Sequence, residues 1–300
     1  MSDRILDISE RPATLKVSNS LLVLTSGQDA PLTIPLSELA VVIAAHPQIT
    51  YTHAVLSGLA EANAVFVTCD ARRRPVSMLL PLVAHSLQAE RFAAQAAIAL
   101  PVRKRIWKQI VVAKLLAQGR LLQELTGADH GLRSLAARVR SGDPQNLEAQ
   151  GARAYWKRLF GEISFRRHGE DGLNACLDYG YAVLRATTAR ALCGAGLQPT
   201  LGIHHHNRYN PFCLADDLME PFRPLADRVV AGLLAERGAA LALDRASKEK
   251  LLAVFLGRFT AAGESRSLFD WIARSAFSLA AVILGESEKL ELPEIQNAAP

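Results

Sequence analysis

Cysteine is scarce in this sequence, and long apolar runs are absent from it. Only four of the 300 residues are cysteines, they lie far apart, and no CxxC pair occurs, so a disulfide framework is not expected. The longest uncharged apolar stretches, 39–45 and 279–285, fall well short of the roughly 20 residues that cross a bilayer. The N-terminus is charged and carries no apolar signal segment. We therefore expect a cytoplasmic protein with reduced, mostly buried cysteines and no membrane span.

Several catalytic motifs are also missing. The sequence contains no P-loop GxxxxGK[ST], no GxGxxG after a predicted strand, no GxSxG elbow and no HExxH. These absences disfavour ATP hydrolysis, hydride transfer and serine hydrolase chemistry. Metal-assisted chemistry on a phosphodiester remains open.

Positive charge is concentrated in one part of the chain. Residues 103–167 contain fourteen Lys and Arg against five Asp and Glu, a local net charge of +9, whereas the whole chain carries only +5. This asymmetry indicates a polyanionic partner, although an ordinary solvated helical face gives the same pattern. The residues that we expect to contact DNA are Arg138, Arg140, Arg153, Lys157, Arg158, Arg166 and Arg167. A second basic run, 72–74, is the alternative path for DNA.

The hydrophobic pattern predicts an α+β protein with two domains. Short β-type segments at 14–17, 20–24, 32–35 and 65–69, with a buried apolar run at 39–45 and one helix at 52–63, predict a β-rich N-terminal domain over residues 1–80. From residue 81 to 285, apolar residues recur every three or four positions, which predicts an all-α domain. Residues 286–300 are acidic, and we expect them to form a flexible tail.

The densest group of ligand-type side chains lies between residues 201 and 224. His204, His205 and His206 are followed by Asp216, Asp217 and Glu220. We expect a helix start at 210–211 and a kink or second helix start at Glu220, because Pro221 removes a backbone hydrogen bond. One imidazole with carboxylates suits Mg²⁺ or Mn²⁺. The pattern also allows surface carboxylates with a Glu220 to Arg223 ion pair, or zinc held by His204 and His206.

A second candidate is Glu148 in the segment 146–156. It shares a helical face with Ala152, and it lies within the basic stretch, where Arg153, Lys157 and Arg158 can hold phosphates around a metal-binding carboxylate. An isolated glutamate on a helix is also compatible with a solvated surface position.

Six segments of the chain resemble one known family. They read RILDISERPATLKV, HPQITYTHAVLSGLAEANAVFVTCD, PLVAHSLQAER, EAQGARAYW, LNACLDYGYAVLRATTARALCGAGLQPTLGIHHHN and LADDLMEPFRPLAD. Together they span almost the whole chain. The sequence is similar to the CRISPR-associated integrase that captures new spacers, in the form that accompanies type II systems. Asp178 differs from the asparagine that is more common in the family.

The resemblance implies a metal triad. The glutamate of E-x-x-x-A-x-x-Y-[WF], the histidine ending L-G-x-x-H and the final acid of D-L-M-E fall on Glu148, His205 and Glu220. His204 and His206 flank the histidine, so the register there stays open, and Asp217 matches a nearby supporting acid. The implied cofactor is Mg²⁺ or Mn²⁺. The implied activity is endonuclease and integrase chemistry, in which a DNA 3′-hydroxyl attacks a phosphodiester of the repeat; a DNA-binding scaffold and a branched-DNA repair nuclease are the alternatives.

The resemblance also implies partners. These are double-stranded DNA from protospacer and repeat, a second copy of this chain bound through the N-terminal domain, a small bridging CRISPR adaptor protein dimer, and the type II effector nuclease. The expected fold is a small β-rich domain followed by a larger α-helical catalytic domain, in agreement with the hydrophobic pattern.

Overall fold

The computed structural model describes residues 4–70, 75–161, 167, 169 and 171–294, and the backbone of Gln296–Asn297. Arg166 and the basic run 72–74 lie outside the described residues. No described helix is long and apolar enough to cross a membrane. All four cysteines are free, and three of them are buried.

The N-terminal domain contains two four-stranded sheets. The strands are β1 (Arg4–Ile8), β2 (Ala13–Ser18), β3 (Leu21–Thr25), β4 (Leu32–Pro35), β5 (Leu39–Ala44), β6 (Ile49–Tyr51), β7 (Val65–Cys69) and β8 (Pro75–Leu79). One sheet has the order β1-β5-β7-β8 and the other has the order β4-β3-β2-β6. The β1–β5, β5–β7 and β2–β6 pairs are parallel, and the remaining pairs are antiparallel.

The helical domain follows a short connection. Helix α1 (His53–Glu61) belongs to the N-terminal domain. The helices of the helical domain are α2 (Gln88–Ala96), α3 (Leu100–Thr126), α4 (Leu132–Arg138), α5 (Leu147–Leu159), α6 (Gly172–Gly194), α7 (Cys213–Met219), α8 (Arg223–Arg237), α9 (Arg245–Phe255) and α10 (Leu268–Ile283). The strand-rich region followed by a helical region confirms the predicted fold class. The exact division near residue 80 stays our proposal.

The strand β5 joins the two domains. Its sequence LAVVIA is apolar throughout and buried on both faces, as expected for a strand with parallel neighbours on either side. Val42 packs into the N-terminal core, whereas Val41 and Ile43 pack with α6 of the helical domain. Polar contacts reinforce this interface, because the Arg190 Nε donates to the backbone oxygen of Asn63 at 2.6 Å. The N-terminal sheet is therefore anchored to the helix that precedes the histidine segment.

Two features differ from our predictions. The helical domain also contains a small sheet of β9 (Arg258–Ala261), β10 (Glu264–Ser267) and β11 (Gln296–Asn297). Ala262 and Gly263 both adopt positive φ, which permits a two-residue hairpin turn between β9 and β10. The tail from 286 to 294 packs against the helices instead of lying free: Glu294 contacts Arg120 at 2.6 Å, and the Leu290 backbone N–H donates to Gln109 at 2.9 Å.

Candidate active site

The candidate active site forms where three parts of the helical domain meet around the amino group of Lys114. Lys114 lies on α3, Glu148 in the first turn of α5, and Glu220 at the start of a 3-10 turn, Glu220–Phe222, that follows α7. The Lys114 Nζ donates to Glu148 Oε1 and lies 2.6 Å from Glu220 Oε2. Two of the three predicted ligands therefore contact one positive charge, although they are 72 residues apart in sequence.

The position of Glu148 is set by the start of α5. Asn146 caps the helix by accepting from the Ala149 N–H, and Asp143 accepts from the Leu147 and Glu148 N–H groups at 2.9 Å each. One turn later, a Cβ on Gly151 would lie only 2.2 Å from Leu115 of α3. This close approach of α3 and α5 brings Glu148 within reach of Lys114.

Glu220 is a buried carboxylate between two cations. Glu220 is 4% exposed. Lys114 contacts one of its carboxylate oxygens, and Arg223 contacts the other at 3.2 Å. Burial would raise the pKa of Glu220, but Arg223 and Lys114 outweigh it and hold this pKa below its ordinary value. Burial would lower the pKa of Lys114, but Glu220 and Glu148 raise it above its ordinary value. Glu220 and Lys114 are therefore both charged at neutral pH.

The predicted break at Glu220 is confirmed, because α7 ends at Met219 and α8 begins at Arg223. The predicted helix start at 210–211 is wrong by two residues. Asn210 Oδ1 accepts from the Phe212 N–H at 3.0 Å, so the Asn210 side chain forms a local turn and α7 begins only at Cys213.

Asp217 holds the histidine segment in place. Its fully buried carboxylate accepts the backbone N–H groups of Ile203 at 2.7 Å, His204 at 2.9 Å and His205 at 3.3 Å. It also lies 2.5 Å from His205 Nδ1, and this hydrogen bond raises the pKa of His205. A hydrogen bond at Nδ1 leaves Nε2 as the ring nitrogen for a ligand, which is the arrangement common at metal sites.

The other two histidines have partners on α3. The His204 ring stacks on Trp107 with centroids 4.0 Å apart, and the Arg103 guanidinium lies 3.1 Å from His206 Nε2. Arg103 also donates to the Gly202 oxygen at 2.9 Å. Among the three imidazole rings, only that of His205 contacts the Asp217 carboxylate.

We expect replacement of Asp217 by alanine to lower the free energy of unfolding by about 3 kcal/mol or more, because three backbone N–H groups lose their acceptor. Denaturant unfolding followed by circular dichroism measures this change. The matched control is Glu249→Ala, since Glu249 is exposed and forms a surface ion pair with Arg245. Equal stability of the two variants would contradict the role of Asp217.

The three acids of this region are not surface carboxylates, so that alternative is wrong. Asp216, Asp217 and Glu220 are all 6% exposed or less. Asp216 forms an ion pair with Arg185 at 2.7 Å and accepts from Asn210 at 2.7 Å. The expected contact between Glu220 and Arg223 is present, but in the interior of the protein.

A further buried carboxylate, Asp227, lies on α8. It accepts hydrogen bonds from the Tyr155 hydroxyl at 2.7 Å and from the Tyr181 hydroxyl. The Arg223 guanidinium lies 4.8 Å from the centre of the Tyr181 ring. Burial raises the pKa of Asp227 to about 6, although both hydroxyls oppose this shift.

This raised pKa predicts a pH-dependent stability. The folded state binds the Asp227 proton more tightly than the unfolded state does. Protonation of Asp227 therefore stabilises the fold fully below about pH 4, and this stabilisation is lost as the pH rises through about 6. Between about pH 4.5 and 7.5, the unfolding free energy of the wild type should fall relative to Asp227→Asn by about 2 kcal/mol. Urea unfolding at both pH values measures the difference. An equal change in unfolding free energy for the wild type and Asp227→Asn would contradict the prediction.

The residues at this site fit a small divalent cation. Two carboxylates and one imidazole form the oxygen and nitrogen donor set that suits Mg²⁺ or Mn²⁺. Glu220 Oε2 is buried and accepts no hydrogen bond of good geometry, despite its contact with Lys114. Over the described residues, no group of three His, Cys, Asp or Glu side chains is already arranged around a single metal position. The two acids are directed toward Lys114 instead.

Five of the residues predicted to contact DNA are exposed, and none forms an ion pair with another described residue. They are Arg138, Arg140, Arg153, Lys157 and Arg158. Arg153, Lys157 and Arg158 lie on α5, the helix that carries Glu148. Arg167 is different, because it is half-buried, contacts Asp178 at 2.6 Å and lies against the Tyr181 ring. Asp178, where the sequence departs from the family, thus neutralises Arg167.

Sequence reasoning missed Lys114, Trp107 and Asp227. A signal for Lys114 was present: it falls on the same face of α3 as Ile110, Val111 and Leu115, all of which are buried. A lysine on an apolar helical face needs an acidic partner. A cavity of about 550 Å³ opens beside Lys114 and Arg223, and Gln118, Trp156 and Tyr181 contribute to its lining.

Comparison with known proteins places this architecture in one family. Residues 6–257 match the family of CRISPR associated protein Cas1. The chain is 38% identical to the CRISPR-associated endonuclease Cas1 of Neisseria meningitidis serogroup C (strain 8013) over 279 residues, which cover 92% of this chain and 90% of that protein.

Two solved structures share the fold. The first is a casposase bound to integration product, with a TM-score of 0.79, 19% identity and coverage of 97% of this chain and 93% of that one. The second is the Cas6-RT-Cas1–Cas2 complex, with a TM-score of 0.74, 18% identity and coverage of 96% of this chain and 35% of that one. The family match over most of the sequence, together with the shared fold, shows that this chain belongs to the CRISPR-associated Cas1 family.

Proposed function

We propose that this protein is a metal-dependent DNA endonuclease and integrase that inserts captured DNA fragments as new spacers into a CRISPR array. One observation carries the proposal: in a chain of the Cas1 family, Glu148 and Glu220 meet a single positive charge, and Asp217 orients His205 in the adjacent segment. The relative from Neisseria meningitidis is named an endonuclease, and the structural neighbour is bound to an integration product.

In this proposal Glu148, His205 and Glu220 would hold Mg²⁺ or Mn²⁺. Such an ion supplies electrostatic stabilisation of a phosphoryl oxygen and of the departing 3′-oxygen. Asp217 fixes the His205 ring and keeps Nε2 available, and Arg223 holds the Glu220 carboxylate. The 3′-hydroxyl of the captured fragment attacks a phosphodiester at the repeat boundary, and one phosphodiester replaces another, so no nucleotide triphosphate is needed.

DNA affinity would come from phosphate contacts around the site. Arg138 and Arg140 lie just before the loop that leads to Glu148, and Arg153, Lys157 and Arg158 continue along α5. Exposed cations contribute sequence-independent affinity by releasing counterions from DNA. The same residues therefore serve both protospacer and repeat DNA.

The proposed assembly is a homodimer through the N-terminal domain, with two such dimers bridged by a small adaptor dimer. A complex of a Cas1-containing chain with Cas2 among the structural neighbours supports this adaptor. The type II effector nuclease is the remaining proposed partner, suggested by the sequence resemblance alone.

A strand-joining assay tests the proposal. A labelled duplex with free 3′-hydroxyl ends is incubated with a repeat-containing plasmid, the protein and its adaptor, with Mg²⁺, with Mn²⁺ or with EDTA. We expect joined product with either metal and none with EDTA. Cleavage without joining would support a branched-DNA repair nuclease, and binding without any product would support a scaffold.

A further inference from the structure

Lys114 is a buried cation in the middle of the proposed metal site. It is 7% exposed and lies on the apolar face of α3, yet it contacts both Glu148 and Glu220. Burying an ammonium group and two carboxylates costs free energy unless the charges compensate one another. Among the described residues, Lys114 forms the ion pair of Glu148, and Lys114 and Arg223 form those of Glu220.

The carboxylate oxygens that contact Lys114 are the oxygens that a divalent cation would need. Glu148 Oε1 and Glu220 Oε2 both point to Nζ. A divalent cation held between the two acids would compete with this ammonium group, because both are positively charged and both take carboxylate oxygens as close partners.

A second acceptor for the ammonium group lies one turn along α3. Gln118 is 96% buried, faces the same 550 Å³ cavity as Lys114, and its Oε1 accepts no hydrogen bond from any described residue. Residues four positions apart lie next to each other on a helix surface, so the side chains of Lys114 and Gln118 are neighbours. The cavity provides room for the Lys114 side chain to leave the acids without leaving the protein.

We propose that Lys114 is a built-in counter-ion that holds Glu148 and Glu220 together before metal binds, and that a divalent cation must displace it toward Gln118. This inference rests on the proposed function, because it assumes that these two acids hold the metal. Lys114 is then a positioning residue: it stabilises the metal-free site and lowers the apparent affinity for metal.

Mn²⁺ binding without DNA tests this inference. The free Mn²⁺ signal in electron paramagnetic resonance is titrated for the wild type, Lys114→Met and Lys114→Gln, with thermal unfolding measured in parallel. We expect both variants to bind Mn²⁺ at least about tenfold more tightly, because the competing charge is gone. We also expect a lower melting temperature without metal and a larger increase on adding Mn²⁺ than in the wild type.

Two further variants make the test specific. Lys108→Met removes an exposed lysine from the same helix, and we expect its Mn²⁺ affinity to match that of the wild type. Gln118→Leu keeps the contacts of Lys114 with the acids but removes the second acceptor, so we expect weaker Mn²⁺ binding than in the wild type. In the Lys114→Met background, Gln118→Leu should have no such effect.

The outcomes separate this inference from the proposed function. If the wild type binds Mn²⁺ and the Lys114 variants bind it equally or more weakly, Lys114 does not compete, and the inference is overturned while the metal site stands. If neither the wild type nor any variant binds Mn²⁺, the metal site and the inference are both wrong. If only Gln118→Leu can be purified, unchanged Mn²⁺ affinity overturns the proposed displacement.

Discussion

Replacing Glu220 with glutamine should lower the rate of strand joining by about 10³-fold or more, because a metal ion contributes several kcal/mol to the stabilisation of the transition state. Glu220 is the most buried of the three proposed ligands and already contacts two cations. Duplex affinity should stay unchanged or rise, because a carboxylate near the phosphates is removed.

The variant should still fold, since Lys114 keeps its contact with Glu148 and Arg223 keeps its contact with the Tyr181 ring. Rates are measured below the melting temperature of the variant. The matched control is Glu236→Gln, which removes an exposed carboxylate that contacts Lys250 on the surface. Strand joining at wild-type rate by Glu220→Gln, or an equal loss in Glu236→Gln, would contradict the assignment.

A triple variant of Arg138, Arg140 and Arg153 to glutamine should weaken duplex binding by about 10²-fold or more near 0.1 M salt. The slope of log affinity against log salt should become less steep by about 2.7, because each neutralised phosphate contributes about 0.9. These arginines are exposed and form no ion pair with another described residue, so their full charge is available to DNA. The loss should be the same for all duplex sequences. Fluorescence anisotropy at several salt concentrations measures both quantities.

The control for this variant removes the same charge elsewhere. It replaces three exposed residues that already contact an acid, namely Arg11, Arg245 and Lys250. We expect a nearly unchanged slope for the control. If the two triple variants have equal slopes, the stretch from 103 to 167 is a solvated surface, and DNA follows another path, such as the run 72–74.

Local sequence signals predicted much of the fold. The alternating and continuous apolar segments gave the central strands, and Pro221 gave the break between α7 and α8. Strands β1, β6 and β8 were missed. The first two pair in parallel with strands distant in sequence, so no local hairpin pattern marks them. The packed tail was missed because its acids read as solvated, whereas Arg105 and Arg120 of α3 provide partners for them.

The candidate site was predicted less completely than the fold. Motif resemblance predicted Glu148, His205 and Glu220 as ligands, but residue spacing left the choice among the three histidines open. The structure distinguishes them physically, because only the His205 ring contacts Asp217. The role of Lys114 depends on contacts with residues 34 and 106 positions away, and no local pattern reports such separations.

The most direct test of the proposed metal site is a crystal structure of the protein soaked with Mn²⁺, with an anomalous difference map. We expect one peak in the helical domain, with Glu148, His205 and Glu220 within about 2.0 to 2.4 Å of it, and Lys114 Nζ moved away from both acids. A map without a peak there, or a peak that Glu148 does not reach while Lys114 keeps its contacts, would contradict it.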